Sequence, residues 1–142
     1  LVGSEMCIRD IAEEFHDWQR RVVDLKEDTG TGLTGDTLIQ INQPKEIYAE
    51  YRFWIVDKKI ITKSLYKRGG QVHYSADVDP MIGQTLGAIL APACWEPARA
   101  YVVDVCQTPD GIKIVEINTI NAAGFYAGDI QKLVMALEEA EG

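Results

Sequence analysis

Three side chains with metal-grade donors lie close together in the second half of the chain: Asp104, Glu116 and Asn118. Two carboxylates and an amide offer hard oxygen donors. Such a set suits Mg²⁺, which binds one or two carboxylates and completes its shell with water and phosphate oxygens. Their spacing is governed by residues 101–118, YVVDVCQTPDGIKIVEIN, in which β-branched and aromatic runs flank a Thr-Pro-Asp-Gly turn. Pro109 presets the first central turn position, and Gly111 tolerates the left-handed one after it. The spacing predicts a three-residue hairpin loop of Pro109, Asp110 and Gly111 with an adjoining bulge. In that register Thr108 faces Ile112 and Asp104 faces Glu116, with Asn118 on the same face two residues on. Directly opposed carboxylates repel unless water, a shared proton or a cation intervenes. Acidic residues alternating with apolar ones also form the outward face of an ordinary antiparallel strand, so spacing alone leaves both readings open.

A second polar set precedes it. Residues 47–56 and 59–66 read as two strands around Asp57-Lys58. Ile47, Ala49, Tyr51, Phe53 and Ile55 share one face, and Tyr48, Glu50, Arg52 and Trp54 the other. A two-residue loop would put Arg52 opposite Lys63. A three-residue loop would put Arg52 opposite Ser64 and Glu50 opposite Tyr66. Either gives Arg52 a neighbouring donor, which suits phosphate. The plain alternative is a solvated face with cross-strand pairs. Asn121 adds a second amide in the small, glycine-rich stretch 119–128, ahead of a helix that Asp129 would cap. A strand leading through such a loop to a helix N-terminus can let an anion approach, or can be a simple connection.

The remaining elements position these residues. Ile11, Phe15, Trp18, Val22 and Leu25 recur at helical spacing, predicting a helix over 11–28. Residues 29–36 hold three glycines but lie between a helix and a strand, the reverse of a phosphate loop, and read as a connector. A short strand follows at 37–42. Residues 67–70 read as a mobile basic loop. Asp79-Pro80 opens a helix to about Leu90, which Pro92 ends. Ile130, Leu133, Val134 and Leu137 mark the last helix.

The 142 residues are 46% hydrophobic and 25% charged, a composition that fits one globular domain. The net charge of −8 argues against general nucleic-acid binding. No apolar run approaches the roughly 20 residues of a membrane span. Cys7, Cys94 and Cys106 have neither disulfide nor zinc spacing, and a reducing cytoplasm is the expected location. Residues 1–10 fit poorly with the rest, and Ser4–Asp10 looks like a translated sequencing-adapter peptide, the alternative being an ordinary frayed N-terminal segment; residues 1–10 are expected to be non-native, with the domain at 11–142.

The order Asp…Glu-x-Asn on consecutive strands resembles the metal-binding end of the ATP-grasp fold. The chain looks closer to one branch, the clade named for two arginines and a lysine, through PKEI at 44–47, EYRF at 50–53, Lys59 to Tyr66, YVVDV at 101–105, IVEIN at 114–118 and NAAGFYAGD at 121–129. The resemblance implies an α+β fold of mostly antiparallel sheets packed with helices. It implies Mg²⁺ held by Asp104, Glu116 and Asn118, and ATP contacted by Glu50, Arg52, Lys63, Ser64, Tyr66 and Asn121. Glu50 would lie near the ribose, and Arg52, the catalytic candidate, would face phosphate. The implied activity is ADP-forming ligation of a carboxylate to an amine, on a small-molecule or peptide substrate. An N-terminal lobe of that fold is largely missing, so the chain is expected to be the C-terminal part of such a domain, with little turnover alone. The alternatives are a nuclease of the PD-(D/E)xK kind and a non-catalytic interaction domain. The nuclease pattern needs a lysine where Asn118 stands, and Lys113 is expected on the face opposite Glu116.

Overall fold

The structure, a computed structural model, describes residues 16, 17, 19–26, 45–93 and 96–142. The chain divides into two units, Leu1–Gln43 and Pro44–Gly142. In the first unit His16, Asp17 and Gln19 are helical and Arg20–Asp24 forms a π-helical turn, closed by the Leu25 N–H on the Arg20 carbonyl at 3.1 Å. The expected helix therefore stops short of Asp28, where Lys26 takes a left-handed φ of 52°. Residues 1–10, Ile11, Phe15, Trp18, the glycine-rich connector and the strand at 37–42 lie outside the described residues.

The second unit is a five-stranded antiparallel sheet with β1 (Ala49–Val56), β2 (Lys59–Arg68), β3 (Gln71–Ser75), β4 (Ala100–Thr108) and β5 (Gly111–Asn118) in the order β3-β2-β1-β4-β5. Two helices complete it, α1 (Pro80–Leu90) and α2 (Ile130–Glu141). This is the expected α+β arrangement. Central β1 is buried along its whole length, because both its faces are covered. On one face Tyr51, Phe53, Ile55, Leu65, Val103 and Val105 pack with Ile82 and Leu86 of α1. On the other, Trp54, Val56 and Val102 pack with Ala123 and with Leu133 of α2. Full burial of each such large apolar side chain contributes roughly 1.5–3 kcal/mol. Both helices start as their sequences dictate. The Asp79 carboxylate accepts the Met81 N–H at 2.9 Å, and that of Asp129 accepts the Lys132 N–H at 3.0 Å.

The turns differ from expectation in an instructive way. Asp57 and Lys58 both have positive φ, 46° and 66°, as a two-residue hairpin turn of type I′ requires. Val56 pairs with Lys59, yet Arg52 pairs with Ser64, because Ile61 is an extra residue that shifts the register. A second shift leaves Tyr66 unpaired, so Glu50 faces Lys67. The β4–β5 turn is likewise two residues, with Thr108 opposite Gly111 instead of Ile112. A bulge at Val115 then restores Asp104 opposite Glu116. Lys67 and Arg68 belong to β2, which leaves only Gly69 and Gly70 in the turn expected to be a basic loop.

Candidate active site

On the α2 face, apolar character runs out part-way along the strands. Val56 and Trp54 of β1 are followed by Arg52 and Glu50, and Val102 of β4 by Asp104. Ser64 of β2 and Glu116 and Asn118 of β5 join this polar half through the cross-strand pairs. α2 covers the apolar half, and residues 124–127 reach the polar half through Arg52 and Ser64.

Arg52 and Asp104 form its centre. The Arg52 Nε–H and Nη2–H donate to the two Asp104 oxygens at 2.7 Å each, a bidentate pair whose side chains are only 7% and 3% exposed. The Arg52 Nη1–H donates to the Gly124 carbonyl at 3.2 Å, and Nη2 lies 3.7 Å from a Glu116 oxygen. Asn118 Nδ2–H donates to that same Glu116 oxygen at 2.8 Å. The repulsion expected between Asp104 and Glu116 is therefore relieved from within, by the guanidinium beside both. Burial, the charge of Asp104 and a hydrogen bond with it push the Glu116 carboxyl above its ordinary pKa, against the opposing pull of Arg52 and Asn118. Burial works against the Arg52 charge, but its bonds to Asp104 outweigh that and raise its pKa further.

Tyrosines enclose the guanidinium. Its carbon lies 5.7 Å from the Tyr66 ring centre and 4.9 Å from that of Tyr126. Tyr126 stacks on Tyr66 at 5.1 Å and on Tyr74 at 5.0 Å. The Tyr66 hydroxyl donates to Glu50 at 3.1 Å, and Lys67 Nζ holds the other Glu50 oxygen at 3.2 Å. Burial, with the charges of Asp104 and Glu50, pushes the Tyr66 phenol far up, so it stays a donor.

The stretch from Gly124 to Asp129 is pinned to the sheet. The Ser64 hydroxyl accepts the Ala127 N–H at 3.1 Å, and that of Thr62 accepts the Asp129 N–H at 2.8 Å. Phe125 stacks on Trp54 at 6.4 Å. A Cβ at Gly128 would meet Trp54 ring atoms at 2.8 and 2.9 Å, so only glycine lets the loop lie this close. Tyr126 has a φ of 49°, a left-handed backbone that costs a bulky residue about 1–2 kcal/mol.

A sequence model for the ATP-grasp domain, family 3 of the clade named for two arginines and a lysine, matches residues 4–137. The chain belongs to that family. No curated protein matches it. The ATP-grasp domain is an ATP-binding, ligase-type domain, and its sheet carries seven of the nine sequence-derived site residues on one polar face: Glu50, Arg52, Ser64, Tyr66, Asp104, Glu116 and Asn118. Two stand apart. Lys63 pairs with Phe53, so it shares the α1 face, and it borders a cleft of about 340 Å³ with Thr62, Ala127, Asp129 and Lys132. Asn121 is exposed in the 3-10 turn Ile120–Ala122. The bulge at Val115 also returns Lys113, paired with Cys106, to the face of Glu116, contrary to the expected alternation. Tyr126, Tyr74 and Lys67 were not foreseen. The signal for Tyr126 was a Phe-Tyr pair in a loop otherwise made of small residues.

Among the described residues no cluster of three His, Cys, Asp or Glu side chains is placed to hold a metal. The set here is two carboxylates and an amide, which fits a cation that draws its other ligands from water and phosphate. An ionised carboxylate has about four lone-pair sites. Arg52 occupies two of those on Asp104, so the donor set still fits Mg²⁺.

Proposed function

We propose that this ATP-grasp domain binds Mg²⁺-ATP at the face of Asp104, Glu116 and Asn118, as part of an ADP-forming carboxylate–amine ligase site. The observation that carries the reading is the convergence of these three oxygen donors, in the family's order, beside a buried arginine. In such a reaction the γ-phosphoryl group passes from ATP to a carboxylate oxygen, releasing ADP, and an amine nitrogen then displaces phosphate from the acylphosphate. Bound Mg²⁺ would supply neutralisation of phosphate charge there. Asp104, oriented by Arg52, and Glu116, oriented by Asn118, would be its carboxylate ligands. Arg52 lowers the negative charge that approaching phosphates meet. Tyr66 and Lys67 hold the Glu50 carboxylate, which suits a role as hydroxyl acceptor for ribose. Lys63 and Asn121, at the margins, are left to outer contacts.

Thermal shift tests the reading, since a ligand that binds only the folded state raises Tm by mass action. Mg²⁺ with ATP is expected to raise Tm, Mg²⁺ with DNA to do no more than Mg²⁺ alone, and D104N and E116Q to lose the ATP-dependent shift. An equal shift in both variants refutes the assignment of the metal end. A shift seen with Mg²⁺ and DNA in place of ATP favours the nuclease alternative.

A further inference from the structure

The loop carrying Tyr126 is attached to the sheet on both sides of that residue. Phe125 stacks on Trp54, the Gly124 carbonyl accepts from Arg52, and the Ala127 N–H is held by Ser64. None of these anchors needs the Tyr126 side chain. Yet Tyr126, the first central residue of the turn that the Gly128 N–H closes on the Phe125 carbonyl at 2.8 Å, occupies a left-handed backbone conformation that glycine would adopt freely. Glycines stand two residues away on either side, at Gly124 and Gly128. A bulky residue kept in such a conformation points to a use for its ring. The ring centre lies 4.9 Å from the Arg52 guanidinium carbon and is backed by Tyr66 and Tyr74, nearly parallel at 21° and 25°.

We infer that Tyr126 is a positioning residue for the Arg52–Asp104 pair. Its ring covers the guanidinium face, keeps water off the bidentate bonds and fixes the plane of the guanidinium. That plane sets the direction of the lone pairs that Asp104 keeps for a ligand. The part of the inference that concerns ligand rests on the Mg²⁺-ATP reading above. The part that concerns Arg52 does not.

Three variants test it: Y126F keeps the ring, whereas Y126G and Y126N remove it with residues that tolerate the backbone. Exchange of the Arg52 Nε–H with water, followed by ¹⁵N NMR in the unliganded protein, reads the pair directly. Y126F is expected to exchange like the parent. Y126G and Y126N are expected to exchange on the order of tenfold faster, without loss of Tm in Y126G. Calorimetry should show Mg²⁺-ATP affinity falling by about tenfold in the ringless variants, between the scales of an exposed and a desolvated cation–π contact, and recovering in Y126F. Parental exchange in both ringless variants overturns the inference. So does tighter Mg²⁺-ATP binding in them, which would make the ring a cover that ligand has to displace. A parent protein that binds no Mg²⁺-ATP would sink the function reading and leave the exchange rates to decide the role of Tyr126.

Discussion

Replacing Arg52 with methionine should be among the most damaging single changes in the sheet. The substitution removes two charged hydrogen bonds of 2.7 Å and one of 3.2 Å to the Gly124 carbonyl. It leaves Asp104, 3% exposed, beside Glu116 without the guanidinium that lies against both. Breaking a buried pair by removing one partner costs about 3–5 kcal/mol. Against a usual domain stability of about 5–15 kcal/mol, that is a large share. For a chain of this length it lowers Tm on the order of 10 °C. Urea denaturation of R52M, D104L and the double variant measures it, and the double variant should cost much less than the two singles together. The penalty also has a pH signature. Burial and Asp104 already raise the Glu116 pKa, and Arg52 opposes them. Without Arg52 the folded pKa rises further above the unfolded value. A raised carboxyl contributes stability below its unfolded pKa and loses it as pH rises through the folded one. R52M should therefore be more nearly normal at mildly acidic pH than at neutrality. A cost under about 1 kcal/mol at neutral pH, or additive effects in the cycle, would refute the account of a buried Arg52–Asp104 pair that also bridges to the half-buried Glu116.

Other substitutions probe the supports. G128A forces a methyl group against the Trp54 ring and should cost about 1–3 kcal/mol by urea titration, as overpacking does. S64A strands the Ala127 N–H and should cost about 1–3 kcal/mol, with the loss seen as faster amide exchange at Ala127. Asp129 has a lowered pKa because it accepts the Lys132 backbone N–H, and the Lys132 side chain adds to this. The stability it contributes is present above the ordinary carboxylate range and lost as pH falls through the lowered folded value. D129N keeps a capping oxygen and should flatten that acid-side loss of helix, whereas D129A should lower Tm throughout.

Four of the five strands, the two helices and their caps were legible in the sequence, because each rests on local signals: alternation, helical spacing and Asp before a first turn; β3 was not, and neither was the strand order. The opposition of Asp104 and Glu116 was also legible, but through a turn the chain does not use. Pro109-Asp110-Gly111 and Asp57-Lys58 both yield two-residue loops, and bulges at Val115 and Ile61 supply the missing residue further along. A three-residue loop and a two-residue loop plus a bulge leave the same register at Arg52 and at Asp104, whereas the further shift at Tyr66 moves Glu50 to face Lys67. Residue pattern could not separate them, since Ile61 and Val115 are as good in a strand as at a bulge. The difference matters beside the bulge, where Lys113 changes face. Tyr126 was hidden for another reason. Its position depends on a backbone conformation that no propensity favours for tyrosine, held by contacts with residues distant in sequence.

The charge at the centre of the site bears on how ligand would enter. Asp104 and Glu116, when both ionised, carry two negative charges, and Arg52 returns one positive charge within 3.7 Å of both. The remaining net charge of about −1 is a weak lure for a divalent cation alone, which loses tightly held water on binding. It is also a smaller barrier to phosphate than an uncompensated carboxylate pair. A triphosphate already carrying Mg²⁺ brings some of the missing oxygen ligands with it. On the proposed Mg²⁺-ATP reading, metal and nucleotide are therefore expected to arrive together. Mg²⁺ titrated alone should give little heat and little shift in Tm, and addition of ATP should bring both. Tight binding of Mg²⁺ without nucleotide would mean that Arg52 releases Asp104 readily, and that the buried pair is weaker than its bond lengths imply.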